Sequence, residues 1–203
     1  MLAFAGFSTV AFSQVRDRGT ELGVNVGYNA STVTVGDGSA TNSDYRSGLN
    51  VAVTADNYFS DRWSLKIRAA YDQKGWANGY IDLGDGNGSY TTDYKLDYLT
   101  IPVLASWHFG RTRNWYLHFG PYVGVLLNAQ ETAGGNDIKD LFNTTDIGLD
   151  LGIGVKFPVS PKAKFFIEAD GQGGFGDIVK NNQDAALRTE RSSINVGFTF
   201  SLD

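Results

Sequence analysis

Cysteine is absent from the 203 residues, which excludes disulfide scaffolds, thiolate metal centres and cysteine nucleophiles. Histidine occurs only at His108 and His118, too few for a histidine-built metal site, and proline only four times. No stretch approaches the about 20 consecutive apolar residues that a membrane-crossing helix requires. Charged side chains make up only 19 % of the chain; with a net charge of −5 they leave no basic footprint for a nucleic acid. There is no phosphate-binding P-loop, no dinucleotide glycine pattern and no G-x-S-x-G nucleophile elbow. Asp82–Gly88 superficially resembles a calcium loop, but Tyr90 stands where the turn needs glycine and no glutamate follows at the right spacing. No catalytic, metal or cofactor set is visible, so the chain does not read as an enzyme.

What is present is glycine (25 residues), aromatics (13 %) and a period-two alternation repeated along the chain. The alternation predicts strands over Thr20–Asn29, Arg46–Phe59, Trp63–Trp76, Tyr94–Phe109, Trp115–Asn128, Asp146–Phe157, Lys164–Phe175 and Ser193–Asp203. The sixth is the cleanest: Ile147, Leu149, Leu151, Ile153, Val155 and Phe157 alternate with Asp146, Gly148, Asp150, Gly152, Gly154 and Lys156. The links Ser60–Arg62, Gly110–Asn114 and Pro158–Ala163 are short. Those over Ala30–Tyr45, Ala77–Asp93, Ala129–Thr145 and Gly176–Ser192 are long and polar. Alternate short and long links, with both ends of the chain on the short side, are the pattern of outer-membrane barrels. The expected fold is all-β, an eight-stranded antiparallel up-and-down transmembrane β-barrel in the bacterial outer membrane. A mean hydropathy of −0.21 is compatible with this, because lipid-facing and lumen-facing residues average out.

Residues 1–13 read as an export signal: Leu2–Val10 is apolar, and Ala11 and Ser13 fit the small-residue cleavage positions. Residues 14–203 then form the barrel domain. No lysine or arginine precedes the apolar run, so the true start is expected to lie upstream.

Aromatics crowd the short links. Phe59, Trp63, Trp107, Phe109, Trp115, Phe157, Phe165 and Phe200 share the apolar register and form the expected periplasmic girdle. Tyr28, Tyr71, Trp76 and Phe175 are candidates for a looser outer girdle. The opposite face must then point inward. It carries Glu21, Asp56, Lys66, Arg68, Asp72, Lys74, Asp146, Asp150, Lys156, Lys164, Glu168 and Asp170. Eight strands enclose only enough room for side chains, and buried charge must be paired. A packed ionic plug is therefore favoured over an ion path. Pro102 and Pro121 fall mid-strand, where a missing N–H breaks the ladder. A hairpin centred near Thr112 sets Pro102 opposite Tyr122 and Val103 opposite Pro121, predicting a shared gap or bulge. His108 and His118 are expected as a cross-strand polar pair beside the same turn.

Leu96-Asp97-Tyr98-Leu99-Thr100-Ile101-Pro102-Val103-Leu104 resembles the "YL-x-IP" strand of the small Bacteroidota outer-membrane β-barrels grouped with PorT-like porins. Gly120-Pro121-Tyr122-Val123-Gly124, the Asp146–Gly154 strand and Asn195-Val196-Gly197-Phe198-Thr199-Phe200 are similar too. The OmpA/OmpX-type barrels share the architecture more distantly. Asn195, Gly197, Phe200 and Leu202 resemble the C-terminal signal read by the barrel-assembly machinery, although the chain ends one residue later, at Asp203. The resemblance implies outer-membrane lipid as surroundings and that machinery as a partner in biogenesis. Four roles follow: a structural or surface-interaction barrel whose long loops meet envelope or surface partners, a small-solute porin, a soluble periplasmic lipocalin-like carrier, and a lipid-modifying barrel enzyme. Charges inside favour a membrane barrel; charges outside favour the carrier.

Overall fold

The computed structural model describes residues 19–36, 43–82, 89–183 and 185–202. The export segment over residues 1–13 lies outside the described residues, as does 83–88 of the calcium-like stretch.

Eight strands run antiparallel in chain order. They are β1 (Thr20–Val35), β2 (Asp44–Tyr58), β3 (Trp63–Asp82), β4 (Ser89–Phe109), β5 (Trp115–Glu131), β6 (Thr145–Pro158), β7 (Ala163–Gly174) and β8 (Leu187–Ser201). β8 pairs back onto β1 and closes the barrel. Closure leaves no edge, so every strand finds ladder partners on both sides without water.

The alternation is inverted relative to a soluble protein. In β6, Asp146, Asp150 and Lys156 are buried while Ile147, Leu149, Leu151 and Ile153 are exposed. Exposed Val, Leu, Ile and aromatic side chains cover the outside of all eight strands. From Ile147 to Phe157 the apolar face covers ten residue steps. At about 3.3 Å per residue and a tilt of about 40°, that is a band of roughly 25 Å, the height of the apolar belt of an outer-membrane barrel. The soluble-carrier reading fails on this observation, because its apolar residues would line a cavity.

Several strands extend further outward than the alternation predicts. β3 reaches Asp82, β5 reaches Glu131, and β8 begins at Leu187 rather than Ser193. Above the bilayer the outer face meets water, so hydrogen-bonded ladder continues through polar sequence such as Thr189-Glu190-Arg191-Ser192 with no apolar alternation to reveal it. The long links are correspondingly shorter.

The ladder between β4 and β5 pairs Pro102 with Tyr122 and resumes at Ala105 with Phe119, leaving two levels without pairing and no change of register. The bulge lies elsewhere, between Asp97 and Tyr98. Trp76 requires a correction: it is 5 % exposed and packs inward, not in an outer girdle. It shares the parity of the inward Asp72 and Lys74, and the β3–β4 register shifts only beyond it, between Trp76 and Gly79. Tyr28, Tyr71 and Phe175 do face outward.

Candidate functional site

The barrel interior is a column of ion pairs. At its periplasmic end Lys156 donates to Glu21 (2.7 Å), Asp56 (3.1 Å) and the Tyr58 hydroxyl (2.9 Å), while half-buried Lys164 also bonds Glu21. Above, Glu168 accepts from Lys66 (2.6 Å), from Arg68 and from the Tyr116 hydroxyl (2.8 Å). Asp170 accepts from Arg68 (3.0 Å), Arg191 (2.7 Å) and Asn195 (2.6 Å). Asp72 accepts from Asn29 (2.7 Å) and lies 3.3 Å from Arg191, and Gln172 donates to Asp150 (2.8 Å). Outermost, Asp146 accepts from Lys74 (3.2 Å), Tyr122 (3.1 Å) and Thr189 (2.8 Å). Among the described residues seven carboxylates thus meet six cations along the axis, so the column is nearly neutral and offers little net charge to draw ions through.

Local sequence makes room for this column. Three inward glycines of β6 stand directly opposite three inward rings of β5: Gly148 opposite Tyr122, Gly152 opposite His118, and Gly154 opposite Tyr116. A Cβ at any of the three would collide with the ring it faces. Lys66 sits over Tyr116 at 4.7 Å and Lys74 over Tyr122 at 4.6 Å from the ring centroid, so each ring also serves a cation.

The two histidines are not cross-strand partners. His108 pairs with Tyr116, and His118 with Ser106. His108 bonds the Ser64 hydroxyl at 3.0 Å, whereas His118 lies between Asp150 and Glu168, 3.4 Å from each. Atoms of His118, Glu168 and Asp170 converge to within 4.8 Å of one another, a spacing that could hold a metal ion. Both carboxylates already accept from Arg68, and Lys66 and Arg191 approach them too, so a dication there would meet three cationic groups.

An apolar cap closes the outer mouth. Val33, Trp76, Leu96, Tyr98, Leu126 and Ala129 from the wall pack with Phe142 and Ile178 from the links after β5 and β7. Trp76 stacks on Tyr94 at 4.3 Å, and Phe142 meets Trp76 edge-on at 6.1 Å. The two links are stitched together by a bridge between Phe142 and Val179 and by backbone bonds from Asn143 to Ile178 (2.8 Å) and Lys180 to Leu141 (2.9 Å). The sequence reading missed this cap, because isolated apolar residues in polar links carry no period.

Beyond the bilayer, Glu131 organises the start of the first of these links. It accepts from the Gly134 backbone (2.9 Å), the Asn136 side chain (2.7 Å) and the Thr92 hydroxyl (3.0 Å). The backbone N–H groups above all hold its carboxyl down at about 2. Its contribution to order in this link is therefore fully present above the ordinary glutamate range and is lost as pH falls through about 2. Glu131→Gln is expected to speed amide hydrogen exchange at residues 132–136 at neutral pH without unfolding the barrel. Unchanged protection there would contradict this anchoring.

Of the inward residues read from sequence, Glu21, Asp56, Lys66, Arg68, Asp72, Lys74, Asp146, Asp150, Lys156, Glu168 and Asp170 are buried in the lumen and Lys164 lies at its mouth. Arg191, Tyr116, Tyr122 and His118 belong with them. In the girdle Phe59, Trp63, Trp107, Trp115, Phe157 and Phe200 are exposed and Phe109 and Phe165 half-buried. Phe109 stacks on Trp107 at 5.2 Å and Phe165 on Phe157 at 6.2 Å. Asn195 and Gly197 face inward on β8, and Phe200 and Leu202 outward.

Among solved structures, the chain is similar to Neisserial surface protein A, with 18 % identity, a TM-score of 0.52, and 89 % of this chain and 97 % of that one covered. It is similar to the outer membrane protein OprG of Pseudomonas aeruginosa at 14 % identity and a TM-score of 0.52, over 91 % and 96 % of the two chains. Ail, the attachment invasion locus protein of Yersinia pestis, solved with the heparin analogue sucrose octasulfate, matches at 15 % identity and a TM-score of 0.47 over 90 % and 99 %. No curated protein matches in sequence. The family profile described as outer membrane protein beta-barrel domain matches residues 12–180. With its charges inside, its apolar band outside and this match over most of its length, the chain belongs to the outer membrane protein β-barrel domain family, an eight-stranded barrel of the bacterial outer membrane.

Proposed function

We propose that this barrel does not conduct, and that it serves the envelope as a structural and surface-interaction protein through its outer links. The observation that carries the reading is the double closure of the lumen: a nearly balanced ionic column, then an apolar cap. A solute following the axis would have to separate buried ion pairs, at several kcal/mol per desolvated charge by order of magnitude. The reading includes no catalysis, since both histidines are buried in the lumen away from the outer rim. It includes cleavage of residues 1–13 on export, recognition of Asn195, Gly197, Phe200 and Leu202 by the assembly machinery, and kinship with the PorT-like barrels of Bacteroidota, on the motifs quoted above.

The test is reconstitution of residues 14–203 into planar bilayers and into liposomes. The expected outcome is no unitary current above that of the empty bilayer and no swelling in isosmotic sugar. Discrete current steps, or swelling at the rate of an open porin, would return the small-solute reading to first place.

A further inference from the structure

The chain is acidic overall, yet its charge is sorted by height. The long links over 30–45, 77–93, 129–145 and 176–192 contain eleven acidic and four basic side chains. The three short turns contain four basic side chains, Arg62, Arg111, Arg113 and Lys162, against a single carboxylate, Asp61. All four cations are exposed.

The turns hold these cations at a fixed level. In the first, the Ser60 hydroxyl accepts from the backbone N–H of Arg62 (3.2 Å) and Trp63 (2.9 Å). In the third, the Ser160 hydroxyl accepts from Lys162 (3.3 Å) and Ala163 (3.0 Å). The same hydroxyl-closed turn therefore sets a cation two residues after its serine in both. In the second, Arg113 adopts a positive φ of 56°, which glycine or asparagine would take more readily, and its guanidinium reaches across to Asp61 at 3.4 Å.

Directly above this basic rim lies the aromatic girdle. Arg62 precedes Trp63, Arg111 and Arg113 lie between Phe109 and Trp115, and Lys162 lies between Phe157 and Phe165. The amphipathic indoles of Trp63, Trp107 and Trp115 at this level mark the boundary between acyl chains and headgroups. The cations just beyond them stand at the height of lipid phosphates, which guanidinium groups bind bidentately.

We propose that the periplasmic rim is a docking surface for anionic phospholipid of the inner leaflet, with Arg62, Arg111, Arg113 and Lys162 as the headgroup contacts. The inference rests on membrane insertion and not on the absence of conduction, so the two fail separately.

The tryptophans make the rim its own reporter. Trp63, Trp107 and Trp115 belong to the girdle, and the fourth, Trp76, is buried in the outer cap. The protein is reconstituted into mixed vesicles of phosphatidylglycerol and phosphatidylcholine, with either lipid brominated high on its acyl chains. Tryptophan quenching then reads which lipid is enriched at the rim. Brominated phosphatidylglycerol is expected to associate about fivefold more strongly than brominated phosphatidylcholine, the yield of one well-placed cation at a membrane surface. The preference is expected to vanish at high salt. It is also expected to vanish in Arg62→Gln/Arg111→Gln/Arg113→Gln/Lys162→Gln and to survive in Arg62→Lys/Arg111→Lys/Arg113→Lys. A gel shift on boiling checks that each variant is folded. Equal quenching by the two lipids in the native protein overturns the proposal, and so does a preference that persists in the glutamine variant. A native protein with no lipid preference that instead binds acidic peptidoglycan fragments, lost in the glutamine variant, assigns the rim to a different partner and overturns it too.

Discussion

Glu168→Leu is expected to destabilise the barrel by about 3–5 kcal/mol, because removing one member of a buried ion cluster strands the others. Glu168 is the acceptor for Lys66, Arg68 and the Tyr116 hydroxyl, and all four side chains are buried. Arg68 keeps Asp170 after the change, but Lys66 is left over the Tyr116 ring with no carboxylate among the ion pairs of the lumen. Removing both ends of that pair, in Glu168→Leu/Lys66→Met, is expected to recover most of the loss, since an apolar pair of similar volume is often neutral or better. The measurement is urea unfolding in detergent micelles, with the single variants and the double forming a cycle. If Glu168→Leu were as stable as the native protein, the ionic column would not be an integrated core.

Leu151→Arg is expected to cost about 2–4 kcal/mol in lipid vesicles, the penalty of a cation at the bilayer midplane on a barrel's outer face. Leu151 is 63 % exposed, halfway along β6, with Phe119 and Gly171 beside it in the ladder. An equally exposed leucine on a water-soluble protein would tolerate the change within about 0.5 kcal/mol. Ile147, near the outer edge of the same apolar face, provides the control: its replacement by arginine is expected to cost only about 0–1 kcal/mol. Equal costs at the two positions would mean that depth in the membrane does not govern this face.

How much of this was legible follows from where a pattern had to be kept. The sixth strand declared itself, because every outward position meets lipid and every inward one meets the lumen, so neither face can drift. Tyr116 and Tyr122 were left without a face, since only charged side chains were read as lumen-facing. Their parity with His118, and the glycines waiting opposite them at Gly154 and Gly148, assign them to the lumen. The same parity test would have moved Trp76 from the outer girdle to the cap. Arg191 was lost because it lies in wall that continues above the bilayer, where no apolar alternation marks a strand. Phe142 and Ile178 were lost because a cap assembled from two links has no sequence period at all.

The ion column also bears on the order of events when the barrel forms. Its members are remote in the chain: Lys156 and Glu21 are 135 residues apart, Lys66 and Glu168 are 102, and Lys164 and Glu21 are 143. Neighbouring strands can zip into hairpins early, but these contacts exist only once β8 has met β1. Contacts that form after the rate-limiting step do not hasten it; they slow its reversal. If closure follows the rate-limiting step, the charges act as a latch that lengthens the life of the finished barrel more than it changes the speed of its making.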